Sequence, residues 1–122
     1  MYVDGFLVPV LKDRIDDYKA IARKMGNIWI EHGALSVVEA MADDVPDGTH
    51  TSFPMAVKLT PDEVVVFSWI TYRDRAHRDA VNAKVMADPR ATWDHEAPPM
   101  NMQRMMWGGF APIVELSAAA AA

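Results

Sequence analysis

Asp4 is the residue of this 122-residue chain whose surroundings most invite chemistry. It interrupts an otherwise apolar run, Tyr2-Val3-Asp4-Gly5-Phe6-Leu7-Val8-Pro9-Val10. His32, closing a predicted helix, and Tyr72, closing a predicted strand, are expected at the same edge of the sheet. A carboxylate, an imidazole and a phenol so placed could move a proton to or from a substrate, with Asp4 and His32 as the acid–base pair. The plainer reading, which we favour, has Asp4 accept a hydrogen bond from backbone or from Tyr72 while His32 caps its helix.

Glu39 and Arg104 are the other charges expected inside strands. On opposite edge strands they stand about 14 Å apart, so they cannot pair within one subunit, although across a dimer they could. Each must find a partner or reach water, because an unpaired buried charge is costly. With Asp4, Trp69 and Tyr72 they form the candidate lining of a small-molecule pocket. Trp29, Trp107 and the methionines Met100, Met102, Met105 and Met106 add aromatic and adaptable surface, which more often fills a core or an interface.

Other chemistries are set aside on residue type and spacing. Asp43, Asp44, Asp47 and His50 resemble a cation loop, but Val45 takes a ligand position and Pro54 stands where a bidentate Glu belongs. The histidines His32, His50, His77 and His95 lack paired helical spacing, so no metal is expected. There is no cysteine, no glycine-rich phosphate loop and no nucleophile elbow, and no cofactor is expected. A net charge of −5, with Arg73, Arg75 and Arg78 interrupted by Asp74 and Asp79, argues against nucleic acid and anionic membranes. No apolar run reaches the length of a membrane span, and the first residues do not read as a signal peptide. These points together give the expectation of a cytoplasmic protein.

The elements that must position these residues follow from periodicity. Residues 2 to 10 read as a strand. Asp13 is expected to cap a helix whose Ile15, Tyr18, Ile21, Ala22, Met25, Ile28 and Trp29 form one apolar stripe, closed by His32 and Gly33. Leu35 to Met41 is a second strand. A long loop over residues 42 to 62 then carries a turn or an irregular strand near Phe53 to Leu59. Val64 to Tyr72 is the strongest strand. A helix from Arg75 to Ala87 follows, capped by Asp74 and expected to pack through Ala76, Ala80, Ala83 and Ala87. Asp88-Pro89 suggests a short third helix through Trp93, residues 96 to 103 a loop, and Arg104 to Glu115 a last strand with a bulge at Gly108-Gly109.

The order β-α-β-β-α-β predicts one α+β domain over residues 1 to 116, a ferredoxin-like sandwich with antiparallel strand order 4-1-3-2. Ser117 to Ala122 reads as a tail outside it. The strands do not alternate, so both sheet faces should be buried, and two helices cover one face. A second copy of the chain is the simplest cover for the other, giving a homodimer. The alternative cover is the 42–62 loop with the 89–103 segment.

The stretches Tyr2-Val3-Asp4-Gly5-Phe6, Glu31-His32-Gly33-Ala34-Leu35, Asp43-Asp44-Val45-Pro46-Asp47-Gly48 and Val65-Val66-Phe67-Ser68-Trp69-Ile70 resemble the YbaA-like family (domain of unknown function 1428), as do the run Arg78 to Arg90 and Arg104-Met105 with Gly108-Gly109-Phe110. The chain departs from that family at Pro99-Met100-Asn101-Met102, where a Pro-Phe-Asp-Gly-type stretch is usual. The resemblance implies a dimeric α/β barrel and supplies no catalytic residue. The expected function is therefore a homodimer that binds a small molecule in a sheet-lined pocket, with cofactorless catalysis within reach of the fold. The alternative is a non-catalytic structural or interaction dimer.

Overall fold

The computed structural model describes residues 1–118. Of the tail expected over 117–122, residues 119–122 lie outside the described residues. Four strands form one antiparallel sheet: β1 (Tyr2–Leu11), β2 (Ser36–Met41), β3 (Glu63–Tyr72) and β4 (Met106–Phe110), in the order β2-β3-β1-β4. This is the expected 4-1-3-2 order read from the other edge. Two long helices, α1 (Ile15–Glu31) and α3 (Arg75–Met86), pack on one face. A single turn, α2 (Phe53–Ala56), lies within the long loop. No helix among the described residues is long and apolar enough to cross a membrane.

Register divides the strand residues between two faces. Tyr2 pairs with Tyr72, Asp4 with Ile70, Phe6 with Ser68 and Val8 with Val66, and these meet the helices. The intervening pairs, Gly5 with Trp69 and Leu7 with Phe67, face the other way, because side chains alternate along a strand. On β2 the same parity sends Val37, Glu39 and Met41 to the helix side, opposite Ile70, Ser68 and Val66.

Several local expectations change. Asp13 does not cap α1; a 3-10 turn over Lys12–Arg14 leads into the helix, whose N-cap Arg14 makes no side-chain capping bond. Asp16 and Asp17 supply the negative charge that favours that end. The opposite end is as read, with His32 at the C-cap and Gly33 at φ +113°. Asp74 caps α3 by accepting the His77 N–H at 2.7 Å, and His77 Nδ1 in return accepts the Arg73 N–H at 3.0 Å. The face of α3 that packs is that of Val81 and Val85, while Ala76, Ala80, Ala83 and Ala87 stay exposed. Valine buries more apolar area than alanine, and that decides the helix rotation.

No third helix forms over 89–93. Asp88 Oδ1 accepts the Arg90 N–H at 2.9 Å, and this side-chain bond holds the backbone in a turn. The last strand is also shorter than expected, and its register is unbroken: Phe6–Trp107, Gly5–Gly108, Asp4–Gly109, Val3–Phe110, with no bulge. Gly109 is demanded by packing. A Cβ there would overlap the Tyr2 hydroxyl and stand 2.7 Å from Arg78 Nη2.

Arg104 therefore precedes β4 and lies outside the sheet. Its guanidinium meets Glu63 at 2.9 and 2.5 Å and donates to the carbonyls of Val57 and Lys58, both at 2.9 Å. Glu63, 6% exposed, is held below the usual carboxylate range by these hydrogen bonds from Arg104. The clamp fastens the long loop to the sheet rim, so Val57 is buried and part of the outer face is covered. Ser52 caps α2 by accepting the Met55 N–H at 3.0 Å.

Residues 99–101 run beside the end of β1. Leu11 N–H donates to the Pro99 carbonyl at 2.9 Å and Asn101 N–H to that of Pro9 at 3.0 Å. Asn101 Oδ1 accepts the backbone N–H groups of Gln103 and Arg104, both at 3.0 Å. The side-chain oxygen that an Asp would offer at this turn is thus retained.

Gly109→Ala is expected to cost about 1–3 kcal/mol in urea unfolding, as overpacking at a fixed position does. Gly108→Ala, whose new Cβ would meet the Phe110 ring at an ordinary 3.6 Å, is expected to be neutral within about 1 kcal/mol. Equal losses at the two sites would refute the packing account of Gly109.

Candidate functional site

The helix layer does not close on the sheet. The stripe residues Ile21, Ala22, Met25 and Trp29 of α1, with Gly26 beside them, are only partly buried, and so is Phe6 on the central strand β1. Between them lies a cleft of about 430 Å³, within the range of small-molecule sites. Its floor is Asp4, Phe6 and Val8 of β1 with Ser68 and Ile70 of β3. Tyr18, Met25 and Trp29 of α1 form one wall; Trp93, Met100, Met102, Met105 and Trp107 form the other. Glu39 enters from β2, and Asn82 and Met86 from α3. Gly26 lets α1 approach β2, since a Cβ would press on Val37 Cγ1 at 3.3 Å.

Apart from Trp107 of β4, the wall opposite α1 belongs to loops, and polar contacts hold it in place. Lys24 Nζ donates to the Thr92 carbonyl at 2.8 Å, and Arg14 donates to the Ala97 carbonyl. Arg90 joins Glu31 at 2.6 Å to Asp88 at 2.8 Å. The bridge between Val10 and Met100 sets the methionines against the end of β1.

Asp4 sits at the inner end of the cleft, 2% exposed. The Tyr72 hydroxyl donates to its Oδ2 at 3.0 Å, with Asn82 Oδ1 3.3 Å away, and Trp29 Nε1 donates to that same Asn82 oxygen at 3.1 Å. Arg78 Nη1 stands 3.5 Å from Asp4 Oδ1, and its Nη2 donates to the Tyr2 hydroxyl at 3.1 Å. Asp4 Oδ1 itself accepts no hydrogen bond. Burial first, and then the Asp4 charge, push the Tyr72 phenol well above its ordinary value.

Glu39 sits on the rim shared with a second groove of about 510 Å³ between α1 and β2. The Tyr18 hydroxyl donates to its Oε2 at 2.8 Å. Glu39 keeps contact with solvent through the open cleft, yet protein atoms surround it closely enough for desolvation to raise its pKa. Hydrogen bonds from Tyr18 and Ser68 pull the other way and do not overcome burial. The Tyr18 phenol is raised in turn, by burial first and then by Glu39.

Of the five pocket candidates, Asp4 and Glu39 line the cleft and Tyr72 supports Asp4 from below. Trp69 points to the outer face, its ring 5.4 Å from that of Phe67. It pairs with Gly5 and Val38, one step out of phase with Asp4 and Glu39, so parity separates it from both carboxylates. Arg104 is committed to Glu63, and Glu39 to Tyr18, so neither charge is left waiting for the other across a dimer. The acid–base pair is also rearranged: His32 Nε2 lies 2.8 Å from Asp88 Oδ2, at the turn where α1 ends. The Asp88 carboxyl is held well below its usual range by Arg90 first and His32 second.

Sequence reasoning assigned Tyr18 to the core stripe and passed over Ser68, Asn82 and Trp93. Strand parity carried a usable signal for Ser68, since Glu39 pairs directly with it. Trp93 carried none, because loop contacts place it.

A group whose folded pKa is raised is stabilising below its unfolded value and loses that contribution as pH climbs through the folded value. For Glu39 the loss begins near the ordinary carboxylate range and grows as pH rises above it. Glu39→Gln, which keeps an oxygen for the Tyr18 hydroxyl, is therefore expected to melt no lower than the parent at neutral pH and to gain relative to it between mildly acidic and neutral pH. Thermal melts across that range check this; a large loss at neutral pH would mean that the charge stabilises the fold.

Residues 1–103 match the family described as "Protein of unknown function (DUF1428)". The chain is 48% identical over 114 residues to "Uncharacterized protein YbaA" of Escherichia coli strain K12, covering 93% of this chain and 97% of that protein. The protein of the same name from Shigella flexneri shows the same identity and coverage. A family match over most of the chain, with near-complete mutual coverage in these relatives, places the sequence: the chain belongs to the family of unknown function DUF1428.

Proposed function

We propose that this protein binds a small molecule, with a flat or branched apolar body, in the cleft between α1 and the sheet. The observation that carries the proposal is a cavity of about 430 Å³ where a closed sandwich would have core, lined by three indoles and entered by two carboxylates. Indole rings supply large rigid contact surfaces, and methionines adapt to an irregular outline. Glu39, raised above the ordinary carboxylate range beside the Tyr18 hydroxyl, is the group through which the cleft could exchange a proton. That would extend binding to cofactorless catalysis.

Binding is tested by thermal-shift screening against a metabolite set. We expect stabilisation by aromatic or branched ligands, and a loss of about tenfold in affinity for Trp107→Ala, an exposed side chain whose removal spares the fold. If no ligand stabilises the protein, the binding reading fails.

The fold is proposed to be ferredoxin-like and to pair as a homodimer through the outer sheet face, forming a two-fold α/β barrel. Phe67 at 44%, Met106 at 46% and Phe110 at 65% exposure support this, with Val38 beside them. Ile113, Val114 and Leu116 extend the same apolar character past β4. Exposed apolar residues gathered on one sheet face suit a self-complementary contact across a two-fold axis. The same face supports the second reading, an interaction dimer with no ligand. Light scattering at micromolar concentration is expected to give the dimer mass, and Phe67→Asp to give a monomer; a folded monomer of the parent protein would defeat the pairing.

A further inference from the structure

Among the described residues, the three carboxylates whose side chains are buried have cationic neighbours, whereas Glu39, exposed at the rim of the cleft, has none. Asp4 has Arg78 at 3.5 Å, Glu63 has Arg104 at 2.5 Å, and Asp88 has Arg90 and His32, each at 2.8 Å. Glu39 forms no ion pair and is held by a neutral phenol. Lys19 and Arg23 line the outer groove on the far flank of α1 without coming within ion-pair distance of it, and Lys19 lies 4.0 Å from Asp16.

Among the described residues, no Lys, Arg or His lines the cleft itself. Its charged groups are Glu39 at the rim and Asp4 at the inner end, where Oδ1 is buried and accepts no hydrogen bond. From strand spacing their Cα positions lie roughly 12 Å apart, two strands across and two residues along. Around them stand Trp29, Trp93 and Trp107, whose ring faces attract cations.

We infer that the cleft selects an amphipathic organic cation, a protonated or quaternary amine on an apolar body, with Glu39 as its counter-ion. This rests on the small-molecule reading proposed above. The indoles hold the apolar body and the rim carboxylate the charge. The charge of Glu39, in a protein of net charge −5, disfavours anions. Glu39 has no cation of the protein within ion-pair distance, so an incoming ammonium meets a carboxylate held only by a neutral phenol.

Three probes with one apolar body separate the claims: 2-naphthylmethylamine, 2-naphthalenemethanol and 2-naphthoate, titrated by calorimetry near neutral pH. The ammonium form is expected to bind about tenfold more tightly than the alcohol, with the carboxylate weakest. Glu39→Gln is expected to bring the amine to the level of the alcohol and leave the alcohol unchanged. An alcohol that matches the amine, a carboxylate that binds best, or a Gln variant that keeps the preference overturns the charge selection while the cleft reading stands. Binding of none of the three overturns both.

Discussion

The pairing of β1 with β3 on one edge and β4 on the other is the constraint on which the rest of the molecule depends. Once Asp4 stands opposite Ile70 and Gly109, parity assigns every other strand residue to the helix side or the outer side. A slip of one residue would send Asp4 outward and bring Gly5 and Trp69 beneath the helices. The Asp4–Tyr72 bond and the Arg78–Tyr2 contact over Gly109 tie that register to α3. A buried carboxylate left without these partners would be costly, so the network specifies the register as well as adding to stability.

The same register accounts for the cleft. Its floor is apolar except for Asp4 and Ser68, which is the composition of a core, yet α1 covers it incompletely. Closure is left to the segments on either side of Pro99, which are held to α1 and β1 by hydrogen bonds. A wall made of loop and methionine can adjust to a guest at lower cost than a packed helix. Glu39 is the point where this economy is broken, because its carboxylate is held by the Tyr18 phenol and has no cation within ion-pair distance.

Much of this was legible from residue order. The helix stripe of α1, its closure at His32-Gly33, the Asp74 cap of α3 and the strand order all follow from periodicity, local capping and crossover handedness. The failures have particular causes. The alanine stripe of α3 looked like a packing face because small residues permit close approach, but Val81 and Val85 bury more area. The pair Gly108-Gly109 looked like a bulge, whereas Gly109 makes room for Tyr2 and Arg78. Asp88-Pro89 carries the cap-plus-proline pattern of a helix start, yet the Asp88 side chain turns back to Arg90.

The sequence by itself determined the two long helices, the four strands, their antiparallel order and the placement of a carboxylate in each of β1 and β2. Those depend on interactions between near neighbours in the chain and on the twist of the backbone. Which carboxylates share a face, and with which aromatics, was decided by tertiary structure alone. Trp69 is thirty residues from Glu39 and looked like its companion, while Tyr18 is the residue that meets it, and Trp107 lines the same cleft from the far edge strand. Register, helix rotation and loop anchoring are long-range choices, each settled by which side chains bury most area and satisfy most polar atoms together.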